Sequence, residues 1–277
     1  MAAEQPENIQ NRRAEDEKKR EQQFLDGVKD KELGIYCDLF SAKSQIEGQD
    51  GGIVTALLLK GMREGLFDIA IVVRRKDGYN ADVVAAETAE EVLAAKGTIY
   101  YRVAVTKKLR ELLAQGKNRI AVVCTPCEVA AIRKIQQTIG KDIEITVIGL
   151  FCFGAFNPQK LKGEIKARLG VDLDKATKVQ IKQGKFIMLI EGRAVSCKIN
   201  DFEGATEMVC GFCSDFVSRL ADVSVGSATN KAGYSTVIVR SKKGTRLVSG
   251  LDAERDVADS QGITKIAQFK RKHAKKR

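Results

Sequence analysis

The segment from Arg119 to Arg133 constrains the fold more than any other, because a buried strand in it leads directly into a helix. Its first part, Ile120–Val123, is an unbroken apolar run rich in β-branched residues, which is typical of a strand covered on both faces. Apolar residues then return at helical spacing from Glu128 onward. The turn between them, Cys124-Thr-Pro-Cys127, places two thiols where ligands usually bind in an open α/β sheet.

Two further cysteine signals follow this turn. An apolar strand predicted from Ile143 to Phe151 ends on Cys152, and Cys210-Gly-Phe-Cys213 repeats the spacing of the first pair. The chain has seven cysteines and a charged N-terminus without the features of an export signal. An odd number of thiols in such a chain favours metal ligands or redox groups over a disulfide framework.

Several identities compete for the paired thiols and Cys152. A zinc ribbon usually keeps its two pairs about 15–20 residues apart, whereas folded structure is expected between the pairs of this chain. A thioredoxin-type site would use one pair and leave the other unexplained. An iron–sulfur cluster accepts ligands from distant segments, because the fold sets its geometry. Ordinary buried thiols are the simpler interpretation for Cys37 and Cys197.

The composition excludes some kinds of chemistry. The chain has one histidine, His273, so histidine-based triads and imidazole metal sites are excluded. The net charge is +11, and residues 265–277 contain basic side chains but no acidic one. A basic end of this kind is usually solvated or docks an acidic partner. Because no nucleic-acid-binding motif accompanies it, we expect no nucleic-acid partner.

Strands and helices alternate as far as about Leu169. Helices are predicted at Ile53–Gly65, from the Thr88-Ala-Glu-Glu91 capping box to Ala95, after Thr106 as an N-cap, and from Pro158. The other predicted strands are Phe67–Val73, Asp82–Ala86, Asp222–Val225 and Ser235–Arg240. Alternating residues between Lys178 and Ile199 predict antiparallel hairpins, with turns at Gln183-Gly-Lys185 and Glu191-Gly-Arg193. The predicted fold class is α/β, a mixed sheet with flanking helices and an antiparallel hairpin insertion.

The chain divides into three parts by composition. Residues 1–32 form a charged N-terminal arm, residues 33–250 the main domain, and residues 251–277 a basic C-terminal tail. No run approaches the length of apolar residues that spans a bilayer, so we expect a soluble, cytoplasmic protein.

Two glycine-containing segments are candidates for binding a phosphate-bearing cofactor. Gly51-Gly-Ile-Val-Thr55 opens a predicted helix, where free backbone N–H groups and the helix dipole favour an anion. Lys96-Gly-Thr98 places a cation and a hydroxyl beside a glycine. Neither a G-x-G-x-x-G fingerprint nor a P-loop is present, and a glycine at a helix start is more often only a cap.

With these residues in view, the chain resembles the beta-subunit family of coenzyme F420-reducing hydrogenases and dehydrogenases. The matching segments run in order from about Leu33 to about Arg240. They are Gln49-Asp-Gly-Gly-Ile-Val-Thr55, Lys96-Gly-Thr98, Thr125-Pro-Cys-Glu-Val-Ala-Ala-Ile-Arg133, Gly149-Leu-Phe-Cys152, Cys210-Gly-Phe-Cys213-Ser-Asp215, Leu220-Ala-Asp-Val-Ser-Val-Gly-Ser227 and Gly233-Tyr-Ser-Thr236.

The resemblance implies that residues 33–250 form an iron–sulfur flavoprotein domain that binds FAD and one 4Fe–4S cluster. The implied cluster ligands are Cys127, Cys152, Cys210 and Cys213, with Cys124 as an extra thiol that could substitute. The implied FAD contacts are Gly51, Gly52, Ile53, Val54, Thr55, Lys96, Gly97, Thr98, Asp222 and Ser224. Some relatives carry an added ferredoxin-like cysteine run, and because none precedes Leu33, we expect a single cluster.

The resemblance also implies an electron-transfer subunit. Electrons would pass from a partner's iron–sulfur chain through the cluster and FAD to coenzyme F420 as hydride, or in reverse, without a catalytic side chain. The partners would be other subunits of a hydrogenase, formate dehydrogenase or heterodisulfide reductase type complex. Two alternatives stay open: the same cofactors with a ferredoxin or other acceptor, and a non-catalytic zinc–thiolate scaffold.

Overall fold

The structure is a computed structural model that describes residues 6–228 and 231–274, with side chains described from residue 15 onward. Its strands are β1 (Val28–Asp30), β2 (Gly34–Tyr36), β3 (Asp38–Ser44), β4 (Ile69–Arg75), β5 (Ala81–Ala86), β6 (Arg119–Cys124), β7 (Glu144–Leu150), β8 (Ala176–Lys182), β9 (Lys185–Ile190), β10 (Arg193–Lys198), β11 (Val223–Gly226), β12 (Ser235–Val239) and β13 (Ala253–Asp256). Its α-helices are α1 (Pro6–Phe24), α2 (Ile53–Arg63), α3 (Ala89–Ala94), α4 (Val105–Ala114), α5 (Pro126–Gln136), α6 (Pro158–Leu169), α7 (Lys242–Val248) and α8 (Ser260–His273).

A mixed eight-stranded sheet with the order β13-β3-β12-β11-β7-β6-β4-β5 forms the centre of the molecule. Strands β4, β6, β7 and β11 are parallel neighbours. Strand β12 is antiparallel to both β11 and β3, so β3 runs in the same direction as these four. The carboxyl ends of five strands therefore meet at one edge of the sheet, which we call the carboxyl edge.

The central strands are buried because helices cover both faces of the sheet. In β6, Ala121 and Val123 pack into one apolar cluster with α2 and α7, whereas Ile120 and Val122 pack into another with α4 and α5. Alternate side chains of a strand point to opposite faces, so an apolar run without polar alternation needs a cover on each side. The mixed sheet with flanking helices agrees with the fold class expected from the sequence.

The hairpin insertion forms a separate antiparallel sheet of β8, β9 and β10. Both predicted turns are present, and Gln183 (φ 50°), Gly184 (φ 70°), Glu191 (φ 50°) and Gly192 (φ 78°) all have positive φ. Two successive residues with positive φ are typical of type I′ turns, which match the twist of paired strands. The insertion packs Phe186 and Met188 against α6, and this satellite core holds it on the main sheet.

Two local expectations differ from the structure. Thr106 is not an N-cap, because α4 begins one residue earlier at Val105 and has no side-chain cap. The capping box at Thr88 and Glu91 is present as expected, but the helix that it opens ends at Ala94 rather than at the expected Ala95.

The two ends of the chain are more ordered than the sequence suggests. Within the expected tail, β13 extends the main sheet beside β3, and α8 packs Ile263 and Ala267 into an apolar cluster. Within the expected arm, α1 ends on Phe24, whose ring lies 4.7 Å from the guanidinium carbon of Arg133. The expected arm and tail also include residues 1–5 and 275–277, which lie outside the described residues. Among the described helices, none combines the length and apolarity that a membrane span requires.

A buried polar network ties the central strands to the helices. The Asp222 carboxylate lies 3.1 Å from the Arg133 guanidinium, and both side chains are almost completely buried. The same carboxylate accepts hydrogen bonds from the backbone N–H of Val147 (2.7 Å) and the hydroxyl of Ser241 (2.6 Å). The network therefore joins α5, β7 and the residues flanking β11 and β12.

We expect Asp222→Ala to lower the free energy of unfolding by about 3–5 kcal/mol, because it leaves the Arg133 charge buried without its partner. Urea titration followed by circular dichroism measures this change. Lys117→Ala is the matched control, since it removes an exposed ion pair with Glu87 and should cost no more than about 1 kcal/mol. Equal losses in the two variants would contradict a structural role for the buried pair.

Candidate thiol centre and cofactor cleft

The carboxyl edge gathers the segments that carry the candidate functional residues. The segment after β3 leads into α2, and the turn after β6 carries Cys127. The segment after β7 carries Cys152, and Ser227 follows β11 and donates a short hydrogen bond to Asp50. Segments distant in sequence therefore lie together, as is usual for ligand sites in open α/β sheets.

Four thiols, which we call the thiol quartet, come from three parts of the chain. They are Cys127, Cys152, Cys210 and Cys213.

Each member of the thiol quartet has a defined local position. Cys127 lies in the first turn of α5, and its sulfur is 3.4 Å from the Thr125 hydroxyl. The Cys210 sulfur accepts a hydrogen bond from the backbone N–H of Ala155 at 3.4 Å, which places it beside the segment that follows Cys152. Cys213 directly follows a 3-10 helix that spans Met208–Phe212.

The pKa shifts of Cys152 and Cys210 include effects of the other thiols of the quartet. Burial raises the pKa of Cys152 to about 12, the ammonium of Lys270 opposes that rise, and the thiols of Cys210, Cys127 and Cys213 add to it. Burial also raises the pKa of Cys210; the hydrogen bond from Ala155 lowers this pKa, and Cys127 and Cys213 raise it again. Because charges are weakly screened in a protein interior, these contributions place the four thiols within electrostatic range of one another.

The quartet fits a sulfur-ligated metal centre by its donor chemistry. Four thiols without a competing imidazole are the donor set of iron–sulfur clusters and of structural zinc. Within the described residues, no three His, Cys, Asp or Glu side chains stand close enough together to chelate one metal ion. The grouping of the quartet therefore rests on its shared position and mutual electrostatics.

The other three cysteines have different surroundings, although Cys127 contributes to the raised pKa of Cys124. Cys124 is buried in the core cluster beneath α5, and burial raises its pKa well above the usual value. Cys37, expected to be a core thiol, is exposed, and its thiol donates to the carbonyl of Asp26 at 3.0 Å. Cys197 lies half-buried in the hairpin insertion.

A cleft of about 290 Å³ lies where the main sheet meets the hairpin insertion. Its lining residues are Glu47, Gly48, Gln49, Val73, Arg75, Lys96, Gly97, Thr98, Ile99, Thr177, Lys178 and Val179. The structure therefore brings the Lys96-Gly-Thr98 turn together with the segment that precedes Gly51. Gly97 has φ 118°, and its Cα faces open space. The volume is at the lower end for ligand sites and suits part of a dinucleotide.

The two glycines before α2 are required by close packing. A Cβ on Gly51 would lie 2.3 Å from the carbonyl oxygen of Ala42, and Gly52 has φ 67°. The first turn of α2 begins at Ile53 and continues with Val54 and Thr55, at the carboxyl edge. The free N–H groups of this helix start lie at the same edge of the sheet as the cleft, although residues 51–55 are not among those that line it.

Asp222 and Ser224, implied as FAD contacts, lie in buried polar networks of the main sheet. Asp222 belongs to the buried network described above, and the Ser224 hydroxyl bonds Ser218 O and the Arg240 guanidinium. Both residues are almost completely buried, and their polar atoms already have protein partners. Their observed role is to hold the sheet together.

The cleft and the thiol quartet are joined by a short segment of backbone. Tyr100, two residues after Thr98, accepts a hydrogen bond at its carbonyl from the N–H of Phe156 (2.8 Å). Phe156 directly follows Ala155, whose N–H contacts the Cys210 sulfur. The two candidate sites are therefore neighbours on one edge of the sheet.

The structure adds one residue that our sequence interpretation missed. Lys270 is 5 % exposed, and its ammonium donates to the carbonyl oxygens of Cys152 and Asp215. A signal for it exists in the sequence, because Ile263, Ala267 and Lys270 share one face of a helix at spacings of four and three. The surrounding basic residues conceal that signal.

Family models match most of the chain. The N-terminal model of the coenzyme F420 hydrogenase/dehydrogenase beta subunit matches residues 39–110, and the C-terminal model matches residues 117–264. The two models therefore cover the strands and segments that form the carboxyl edge.

Named relatives and one solved structure agree with these matches. The chain is 32% identical over 258 residues to the coenzyme F420-dependent sulfite reductase of Methanocaldococcus jannaschii, spanning 87% of this chain and 41% of that protein. It is 31% identical over 229 residues to the coenzyme F420 hydrogenase subunit beta of Methanothermobacter thermautotrophicus, spanning 78% of this chain and 81% of that subunit.

A chain in the structure of the F420-reducing nickel–iron hydrogenase complex from Methanosarcina barkeri has the same fold. It superposes with a TM-score of 0.83 and 29% identity, over 89% of this chain and 92% of that chain. Family models, relatives and fold thus confirm the resemblance found in the sequence: the chain belongs to the coenzyme F420 hydrogenase/dehydrogenase beta subunit family.

Proposed function

We propose that this chain is an electron-transfer flavoprotein subunit that holds one 4Fe–4S cluster and FAD. It would exchange electrons with the iron–sulfur chain of a partner subunit and exchange a hydride with coenzyme F420. The observation that carries the proposal is the placement of four thiols from three segments near a cleft at one edge of the sheet, with Cys210 beside the segment that follows Cys152. Membership of the family supports it, since relatives are named as F420-dependent hydrogenase, dehydrogenase and formate dehydrogenase subunits.

The thiol quartet would hold the cluster. Its four sulfurs supply the donor set, and the Ala155 N–H supplies a hydrogen bond to one of them. Hydrogen bonds to ligating sulfurs and partial exclusion of water are means by which a protein adjusts the reduction potential of a cluster. Cys124 faces the core, so we keep it outside the proposed ligand set.

The cleft and the helix start would hold the flavin. Lys96 is exposed and makes no ion pair within the described residues, so its ammonium is available to a phosphate. The N–H groups of residues 53–55 and the Gly97–Thr98 turn would supply further donors. When bound, a flavin exchanges electrons singly or in pairs, which connects a one-electron cluster to a hydride acceptor. We assign no flavin contact to Asp222 or Ser224.

The charge of the chain suits an anionic substrate and a partner subunit. Lys96, Lys178 and Arg75 line the cleft, and the chain as a whole carries a net charge of +11. A basic surface raises the rate at which an anion such as coenzyme F420 meets its site. The electron donor would be a subunit of a hydrogenase, formate dehydrogenase or heterodisulfide reductase type complex.

The decisive experiment is turnover with coenzyme F420. We expect anaerobically purified protein to show flavin bands and an iron–sulfur shoulder, and to oxidise reduced coenzyme F420 with a one-electron dye as acceptor. The absorbance of the deazaflavin reports the reaction. Flavin and cluster without turnover would overturn the coenzyme F420 assignment, and colourless protein containing one zinc would overturn the whole proposal.

Replacement of any quartet cysteine tests the proposed ligand set. We expect Cys127→Ser, Cys152→Ser, Cys210→Ser and Cys213→Ser each to lose most of the iron and acid-labile sulfide, because a cluster needs all its thiolates. Iron and sulfide assays per chain, with the visible spectrum, measure this loss. Cys37→Ser and Cys197→Ser are the controls and should keep the wild-type content. Full iron in any quartet variant would remove that residue from the set.

Lys96→Gln tests the proposed phosphate contact. A hydrogen bond from a charged group contributes about 1.5–3 kcal/mol, so we expect the Kd for FAD to rise about tenfold or more. Fluorescence titration of flavin-free protein measures it. Lys185→Gln removes the same charge from an exposed hairpin residue outside the cleft and should leave the Kd unchanged. Equal Kd values for the two variants would argue against the contact.

A further inference from the structure

Lys270 joins the two segments that carry Cys152 and Cys213. Its ammonium donates to the carbonyl oxygen of Cys152 itself and, at 2.7 Å, to that of Asp215, two residues after Cys213. The residue lies on the buried face of α8, which it shares with Ile263 and Ala267. The contact therefore fixes the separation of two segments that are distant in sequence.

The buried charge of Lys270 has no carboxylate partner among the described residues. Its side chain is 5 % exposed, and both of its hydrogen-bond acceptors are neutral carbonyls. The positive charge of Lys270 acts to lower the pKa of the Cys152 and Cys210 thiols. A buried cation without an opposite charge is costly, so its retention calls for a negative group nearby.

We propose that Lys270 is a positioning residue whose fixed positive charge raises the reduction potential of the cluster held by the thiol quartet. The inference rests on the proposed function, because it assumes the cluster. Four thiolates give such a cluster a net negative charge, which increases by one when the cluster accepts one electron from its donor. No bond forms or breaks in that step. A nearby cation stabilises the more negative, reduced form more strongly.

Variants at this position separate charge from packing. Lys270→Met removes the charge and the hydrogen bonds, Lys270→Gln removes the charge but keeps an N–H donor, and Lys270→Arg keeps the charge. Lys272→Met is the matched control, since it removes an equal charge from an exposed position on the same helix. The midpoint potential of each purified protein is measured by an anaerobic redox titration followed by electron paramagnetic resonance.

We expect Lys270→Met and Lys270→Gln to lower the equilibrium constant for one-electron reduction of the cluster about tenfold. This corresponds to a midpoint potential lower by about 59 mV. Lys270→Arg and Lys272→Met should keep the wild-type potential. If the neutral variants lose the cluster while Lys270→Arg retains it at the wild-type potential, the counter-charge role is also supported. Unchanged potentials in the neutral variants, or loss of the cluster in all three variants of Lys270, would overturn the inference.

The same measurements keep this inference distinct from the proposed function. Wild-type protein without an iron–sulfur signal would refute the proposed function before any variant is compared. Wild-type protein that turns over coenzyme F420, with unshifted potentials in the neutral variants, would refute only the role of Lys270.

Discussion

The burial of β6 and β7 between two layers of helices is the constraint on which both candidate sites depend. Strands covered on both faces pack as parallel neighbours linked by helical crossovers, and their carboxyl ends then lie at one edge. Cys127 and Cys152 follow these two strands within three residues, so the fold places both at the carboxyl edge. The Asp222 and Arg133 network secures the same strands from within. The architecture of the sheet therefore determines where Cys127 and Cys152 lie.

Sequence reasoning succeeded where the signal was local. The strand, turn and helix around Cys124 and Cys127 follow from an apolar run and a proline, and the hairpin turns follow from Gln183-Gly184 and Glu191-Gly192. It was less successful where long-range contacts decide. Thr106 looks like a cap, yet the helix begins one residue earlier, at the buried Val105. Strand β13 is short and polar, and pairing with β3 rather than its own propensity makes it a strand.

The site shows the same division between local and long-range information. The spacing of Cys210 and Cys213 identified a pair, but only the tertiary structure shows that Cys210 lies beside the segment that follows Cys152. Asp222 and Ser224 stand beside matching motifs, yet the fold uses both to bind buried arginines. Lys270 is one basic residue among several in α8, and only the packing of the helix turns it inward. Sequence position alone does not distinguish a buried charge from a solvated one.

The width of the cleft depends on how the hairpin insertion docks on the main sheet. Arg75, at the end of β4, donates to the carbonyl oxygens of Ala176 and Thr177 in β8. The Tyr100 hydroxyl accepts from the N–H of Ile181 and from the Gln49 amide, so it bridges the insertion and the segment before α2. Because the Tyr100 carbonyl also binds the segment after Cys152, a displacement of the insertion would move both walls of the cleft and the support of the thiols. The separation of the cleft and the thiol quartet therefore depends on the docked insertion as much as on the sheet.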